Sequence, residues 1–105
     1  MDAGKLDKKI YIQVRTEDQD TFGEPNTIWA TVATTYANIK PLVGKEFFAA
    51  QQDKSQISHD VTIRYLRGIK PKMRVSYIDR LFEIHAVIDF EEKREWLFLK
   101  CREVV

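Results

Sequence analysis

Few side chains in this sequence have the type and spacing that catalysis or metal binding requires. The 105 residues include two histidines and one cysteine, at His59, His85 and Cys101. Metal-binding histidines have partner ligands at fixed spacing, which neither histidine has, so a structural or solvated role is expected for both. Cys101 alternates with Leu97 and Leu99, and this pattern indicates a small buried side chain rather than a reactive thiol.

The acidic segment near residue 20 matches a calcium-binding loop only in part. Asp18, Asp20 and Gly23 fit the pattern, but Phe22 and Trp29 stand where oxygen ligands belong. The sequence also lacks a glycine-rich phosphate loop and a serine in a nucleophile elbow. We therefore expect no metal, no cofactor and no enzymatic activity.

Two blocks of like charge are the strongest local signals. The basic block has no acid between positions 64 and 74 and contains Arg64, Arg67, Lys70, Lys72 and Arg74. The acidic block has no cation, encloses Phe22, and contains Glu17, Asp18, Asp20 and Glu24. Because the net charge is only +1, any electrostatic function depends on these blocks rather than on the whole molecule.

The charge blocks have three interpretations at this point. Both could be solvated surface, which is the ordinary role of charge runs. They could instead meet across a subunit boundary, in head-to-tail contacts that close a ring. Direct binding of nucleic acid by the basic block is the third interpretation, and it predicts strong salt dependence.

Length and composition indicate one globular domain, residues 1–105. A chain of this size buries roughly 65% of the surface that its unfolded form exposes. No apolar run approaches the ~20 residues of a membrane span, so no membrane partner is expected. The start of the chain lacks the apolar stretch of a secretory signal, and a single cysteine suits a reducing compartment, so a cytosolic origin is expected.

The elements that must position these residues are mostly strands. Period-two alternation predicts strands over 8–15, 61–65, 73–77, 82–88 and 96–104. Residues 28–40 favour a pleated surface, with a bulge expected near Thr34 and Thr35. We expect the three strands between Asp60 and Asp89 to form an antiparallel meander, and the last strand, apolar on both faces, to be central or covered.

Two non-strand elements complete the predicted fold. Thr16 to Asn26 is polar and contains Gly23 and Pro25, which predicts a long exposed loop. Lys45 to about Asp53 consists of good helix formers and predicts one short α-helix. The predicted fold is therefore mainly β: a small antiparallel β-barrel of about six strands, with one short helix and a long loop between the first two strands.

Several segments, in order along nearly the whole chain, resemble the phage head-tail joining (head-tail adaptor) family. They are GKLDKKIYI, the acidic loop with FGEP, the aromatic strand with Trp29, ANIKPLVGKEFFAAQQ, HDVTIRYLRGIKPKMRV, FEIHAVID and WLFLKCREV. Their combination at these spacings carries the resemblance. One departure is Tyr36, where many members have a tryptophan, which is a conservative change.

The resemblance implies a head-completion protein of tailed phages and prophages, assembled in the bacterial host cytoplasm. Members form a ring beneath the portal and adaptor after DNA packaging, join head to tail, and in some cases plug the DNA exit channel with a loop. The implied partners are further copies of the chain, portal and adaptor proteins above, tail proteins below, and packaged DNA that passes or is blocked without sequence-specific binding. The isolated chain could be a monomer or a ring.

If this carries over, the loop Thr16–Asn26 is the candidate channel element. Its candidate residues are Glu17, Asp18, Asp20, Phe22 and Glu24, and the basic block is the candidate interface patch. The alternative function is a small oligonucleotide-binding barrel, which would stack bases on exposed aromatics. Against that alternative, Tyr65, Tyr77 and Phe82 fall on the phase that is predicted to be buried.

Overall fold

A computed structural model of the protein describes residues 5–19, 25–43 and 57–104. This part of the chain forms six strands, β1 Lys8–Gln19, β2 Pro25–Pro41, β3 His59–Arg64, β4 Arg74–Tyr77, β5 Arg80–Asp89 and β6 Trp96–Val104. A short 3-10 turn, Phe90–Glu92, joins the last two strands. None of the helices in these ranges has the length and hydrophobicity needed to cross a bilayer.

All strand pairs are antiparallel and close into a barrel in the order β1-β2-β3-β6-β5-β4. The predicted six-stranded antiparallel barrel is confirmed. The predicted meander is confirmed for β4 and β5, which pair with each other, and is wrong for β3, because β6 lies between β3 and β5. The connection over residues 65–73 is too long for a tight hairpin turn, so it frees β4 to pair with β1 instead.

The core consists of alternate residues from all six strands. Its largest side chain is Phe82, which is completely buried. The other buried apolar residues are Ile10, Ile12, Ala37, Val61, Ile63, Val75, Ile84, Leu97, Leu99 and Cys101. As expected for β6, the phase with Leu97 and Leu99 is buried, and the phase with Trp96 and Phe98 is half-buried.

Two bulges interrupt the alternation. Ile12 pairs with Ala33 and Gln13 with Thr31, so Val32 is the extra residue of β2, near but not at the predicted position. In β5, Ile84 pairs with Cys101 and Ala86 with Lys100, so His85 is extra. After this second bulge Val87 packs against the core and Ile88 is 44% exposed, the reverse of the predicted phase.

The predicted loop Thr16–Asn26 is wrong at both ends. Thr16 pairs with Ile28 and Gln19 with Pro25, so β1 and β2 extend four and two residues into it. The residues of this stretch are polar and show no apolar alternation, which is why the sequence indicated a loop. Residues 20–24 lie outside the described residues, as does the predicted helix over Lys45 to Asp53.

Candidate functional site

The most prominent feature outside the barrel is a two-stranded ribbon. Within β1 only Tyr11–Gln13 pair with β4, and within β2 only Ala37–Pro41 pair with β3. Among the described residues, 14–19 and 25–30 therefore pair with each other alone, and we call them the β1–β2 ribbon. At about 3.4 Å per residue, six residues carry the ribbon roughly 20 Å beyond the barrel.

The ribbon carries the described part of the acidic block. Glu17 pairs with Thr27 and Asp18 with Asn26, so both acids lie further along the ribbon than its base at Val14. The remaining candidate residues of the acidic block, Asp20, Phe22 and Glu24, lie outside the described residues. Part of the predicted loop is therefore a paired ribbon in the structure.

A groove of about 850 Å³ lies at the base of the ribbon. We call it the base groove. Three elements line it: the ribbon, the connection before β4, and the middle of β5 around the His85 bulge. Its lining residues are Val14, Arg15, Trp29, Lys70, Pro71, Lys72, Met73, Glu83, Ile84 and His85.

A tight turn from Lys70 to Met73 forms one wall of the base groove. The Met73 N–H donates to the Lys70 carbonyl (3.4 Å), and Lys72 has a φ of +77°. Proline followed by a residue with positive φ is the pattern of a type II turn, in which glycine usually occupies the second position. The Lys72 N–H donates to the Ile84 carbonyl (3.0 Å), which fixes the turn to β5.

Trp29, another lining residue, carries Arg74 stacked on its ring. The Arg74 guanidinium carbon lies 4.1 Å from the centre of the Trp29 ring, and Arg74 Nε donates to Gln13 Oε1 (2.6 Å). Burial lowers the pKa of Arg74, which stays cationic near neutral pH because guanidinium pKa values lie far above that range. The stack therefore joins β4 to both strands of the ribbon at its base.

The base groove is positively charged. Lys70 and Lys72 are exposed, and neither forms an ion pair with an acid in the described part of the chain. Glu83 is the one acid among the lining residues, and its carboxylate accepts a hydrogen bond from Arg102 (3.0 Å). Its charge is therefore compensated from outside the groove.

The structure separates the five residues of the basic block. Lys70 and Lys72 line the base groove and Arg74 stacks on its wall. Arg64 instead stacks on Trp96, with 5.2 Å between the guanidinium and the ring centre, and Arg67 is exposed without lining the groove. The basic block, which is continuous in the sequence, is thus divided in the fold between the base groove and the surface around Trp96.

Sequence reasoning did not identify Trp29, Gln13 or Arg15 as part of this site. They join the cations only because β1 pairs with both β2 and β4, and no local pattern indicates that pairing. His85 was expected on the polar phase of its strand and is exposed, but its place in the base groove depends on the bulge.

A second polar cluster lies where β5 begins and β6 ends. Arg80 donates to Glu103 through Nε (2.7 Å) and Nη2 (3.1 Å), and the Ser58 hydroxyl oxygen lies 2.8 Å from Nδ1 of His59. His59 is buried and stacks edge-on against Phe82, with 5.1 Å between ring centres. These contacts give His59 the structural role that was expected for it.

The ionisation of this cluster follows from its contacts. Desolvation is the main cause that lowers the pKa of His59, and Arg80 adds to it against the opposing effect of Glu103. The hydrogen bond between Arg80 and Glu103 lowers the pKa of the carboxyl and raises that of the guanidinium. In the described ranges, no group of three potential ligands could hold a metal ion.

Cys101 is also a core residue. Its side chain is completely buried, and burial raises the pKa of its thiol to about 12, with a smaller effect of Asp60 in the same direction. The Sγ–H points to the Leu99 carbonyl at 3.5 Å. The expectation of a buried side chain is confirmed.

Comparison with known proteins gives one family match and several structural neighbours. A family model described as phage head completion protein matches residues 1–104. No curated protein matches the sequence.

Two solved structures have the same fold. The solution structure of protein SF1141 from Shigella flexneri 2a superimposes with a TM-score of 0.72 at 24% identity, covering 98% of this chain and 96% of that one. A chain from the virion of a native gene transfer agent particle superimposes with a TM-score of 0.63 at 17% identity, covering 95% and 96%. At these identities the superpositions establish the fold, and the family match carries the information on function.

Proposed function

Since this chain belongs to the phage head completion protein family, we propose that it acts as a ring of identical copies between the portal and adaptor proteins on one side and the tail on the other. Membership confirms the resemblance seen in the sequence. The chain is a structural virion protein that joins head to tail, and it is not an enzyme. Ring formation and the named partners are the proposed part.

The observation that carries the ring is the separation of opposite charges on one copy. The acidic residues Glu17 and Asp18 extend outward on the ribbon, while Lys70 and Lys72 lie at the base groove. Different patches that attract each other generate head-to-tail contacts, and such contacts close a ring when the rotation between copies permits. Charge complementarity also steers the encounter and selects the partner.

A second use of the acidic block, exclusive of docking on a neighbouring copy, is a place beside the DNA path. Carboxylates repel a DNA backbone, so an acidic segment facing the lumen would keep DNA from adhering while it passes or is held back. We place assembly in the host cytoplasm, where heads and tails of tailed phages meet. Sequence-specific DNA binding forms no part of this function.

A rival arrangement uses the free backbone edges of the ribbon for the contacts between copies. Cysteine introduced by Asp20→Cys in assembled particles separates the two arrangements. Bridges between copies are expected if the acidic segment faces a common lumen. Absence of bridges, with the chain present in the particles, would favour the strand edges or docking of the acidic segment on a neighbouring copy.

The oligonucleotide-binding alternative has no supporting observation. Phe82 is completely buried, and Tyr65 and Tyr77 are half-buried and pack against the core. These three rings therefore do not form an open stacking platform for bases. The prediction that they lie on the inward phase is consistent with this burial.

Deletion of the gene, followed by negative-stain microscopy of the particles, tests the proposed function. We expect heads separated from free tails, and restoration of joined particles by the wild-type chain supplied in trans. Joined, infectious particles in the absence of the chain would overturn the proposal. Restoration in trans also separates loss of this protein from an effect on neighbouring genes.

A further inference from the structure

We propose that the base groove is the receptor for the acidic part of the ribbon of a neighbouring copy. Each copy would then present one ribbon and accept another. This inference rests on the proposed ring and specifies its contact. It commits to a second copy of this chain as the occupant, because the acidic block of the same sequence supplies the complementary charge.

The contact has to be between copies because of the ribbon's geometry. Glu17 and Asp18 lie beyond Arg15 on an extended strand and pair with Thr27 and Asn26. Each residue moves the backbone about 3.4 Å further from the base. Folding back onto the same groove would break these backbone pairs, whereas a neighbouring groove can be reached with the ribbon intact.

The lining of the base groove fits such an occupant. Lys70 and Lys72 provide exposed ammonium groups, and the charge of Glu83 is compensated by Arg102. Val14 and Met73, both half-buried, add apolar surface. A peptide with several carboxylates around one aromatic residue, such as the sequence from Glu17 to Glu24 with Phe22, complements both properties.

The backbone of the turn gives independent support. A φ of +77° at Lys72 is a conformation that glycine adopts without strain and that lysine adopts at a cost. A charged side chain at this position, directly on the groove, is explained if the charge is used for binding. Replacing Lys72 by glycine should therefore strengthen the fold and weaken the contact, a combination that a purely structural role does not predict.

The test uses particles assembled in cells that express two variants together. One variant carries Asp18→Cys and the other Lys72→Cys, both with Cys101→Ala. A disulfide formed when the isolated particles are treated with an oxidant such as diamide can then join only different copies. The matched control replaces Lys72→Cys by Arg67→Cys, which is exposed and basic but lies outside the base groove. We expect several-fold more bridged dimer from the Lys72 pair than from the Arg67 pair.

Equal bridging by both pairs, or no bridging by either, would overturn the groove contact. In that event, a lysine-reactive cross-linker applied to wild-type particles tests whether copies of the chain contact one another. Cross-linked multimers would still support the proposed ring. Their absence would contradict the ring as well.

Lys72→Gly provides the second readout. We expect a higher unfolding midpoint of the purified chain together with fewer joined particles. A higher midpoint with wild-type yield of joined particles would also overturn the groove contact.

Discussion

The guanidinium of Arg74 stacks on the ring of Trp29 at 4.1 Å, and this contact joins β4 to the base of the ribbon. Strand β4 pairs with only Tyr11–Gln13 of β1. Side-chain contacts therefore supplement the backbone hydrogen bonds between these two strands. The 2.6 Å hydrogen bond from Arg74 to Gln13 adds a second attachment. The orientation of the ribbon, and with it any contact between copies, depends on this junction.

A double-mutant cycle on Trp29 and Arg74 measures the strength of the junction. Trp29→Leu is expected to lower the free energy of unfolding by about 1–2 kcal/mol, because a cation–π contact and apolar area are lost. The coupling with Arg74→Leu should be about 1 kcal/mol. The more exposed pair of Arg64 and Trp96 is the control, with weaker coupling expected, and additive effects at Trp29 and Arg74 would contradict the assigned contact.

Ile78→Gly is expected to stabilise the protein. Ile78 has a φ of +52° in the turn between β4 and β5, and its side chain is 77% exposed. Glycine relieves strain of about 1 kcal/mol without loss of packing, so the urea midpoint should rise. Asp79→Gly is the matched control, because Asp79 does not have a positive φ and glycine there should destabilise the turn. A lower midpoint for Ile78→Gly would show that the turn is not strained.

Cys101 should react with thiol reagents only through unfolding. With a pKa of about 12 and complete burial, about one thiol in ten thousand is ionised at pH 8, and that thiolate is not accessible. Absorbance of a thiol-specific chromogenic reagent should therefore rise at the rate of unfolding, and at once in concentrated urea. Rapid labelling of the native chain would contradict the buried position.

Stability should fall when the pH drops below about 7, because of His59. Burial lowers its folded pKa beneath the ordinary value of 6.5, so the unfolded chain binds the proton more readily. The contribution is complete above pH 6.5 and is lost as pH falls through the folded pKa. Urea midpoints at pH 7.5 and 5.5 should differ for the wild type and differ less for His59→Gln.

Arg80, Glu103 and Asp60 also act on His59, so they define the background of that measurement. His85→Gln is the control, because His85 is exposed. An unchanged difference between the two pH values in His59→Gln would assign the pH dependence to other groups, such as Glu103, whose pKa is also lowered. The two contributions separate because the carboxyl titrates in a more acidic range.

The strands and most of the core were predictable because alternation is a local signal. Ile10, Ile12, Val61 and Ile63 follow directly from the period of two. The pairing of β4 with β5 was predictable from their short connection, but the pairing of β4 with β1 was not, since these strands are far apart in sequence. The phase error at Ile88 has a similar cause, because the bulge at His85 has no local signature.

The charged residues of the candidate site were predictable from the sequence, but the groove that they line was not. The basic and acidic blocks are visible in the sequence, but only the fold assigns Lys72 to a groove and Arg64 to a different surface. The ribbon was missed because the sequence from Thr16 to Asn26 is polar and shows no apolar alternation. The strained backbone of Lys72 was equally invisible, since a lysine carries no turn signal of its own.

A cryo-electron microscopy reconstruction of the head-tail junction in wild-type particles is the most direct measurement of the central claim. It should contain a closed ring of six-stranded barrels between head and tail, with each ribbon reaching the Lys70–Met73 turn of the next copy. A junction in which head and tail are joined without density for this barrel would contradict the account.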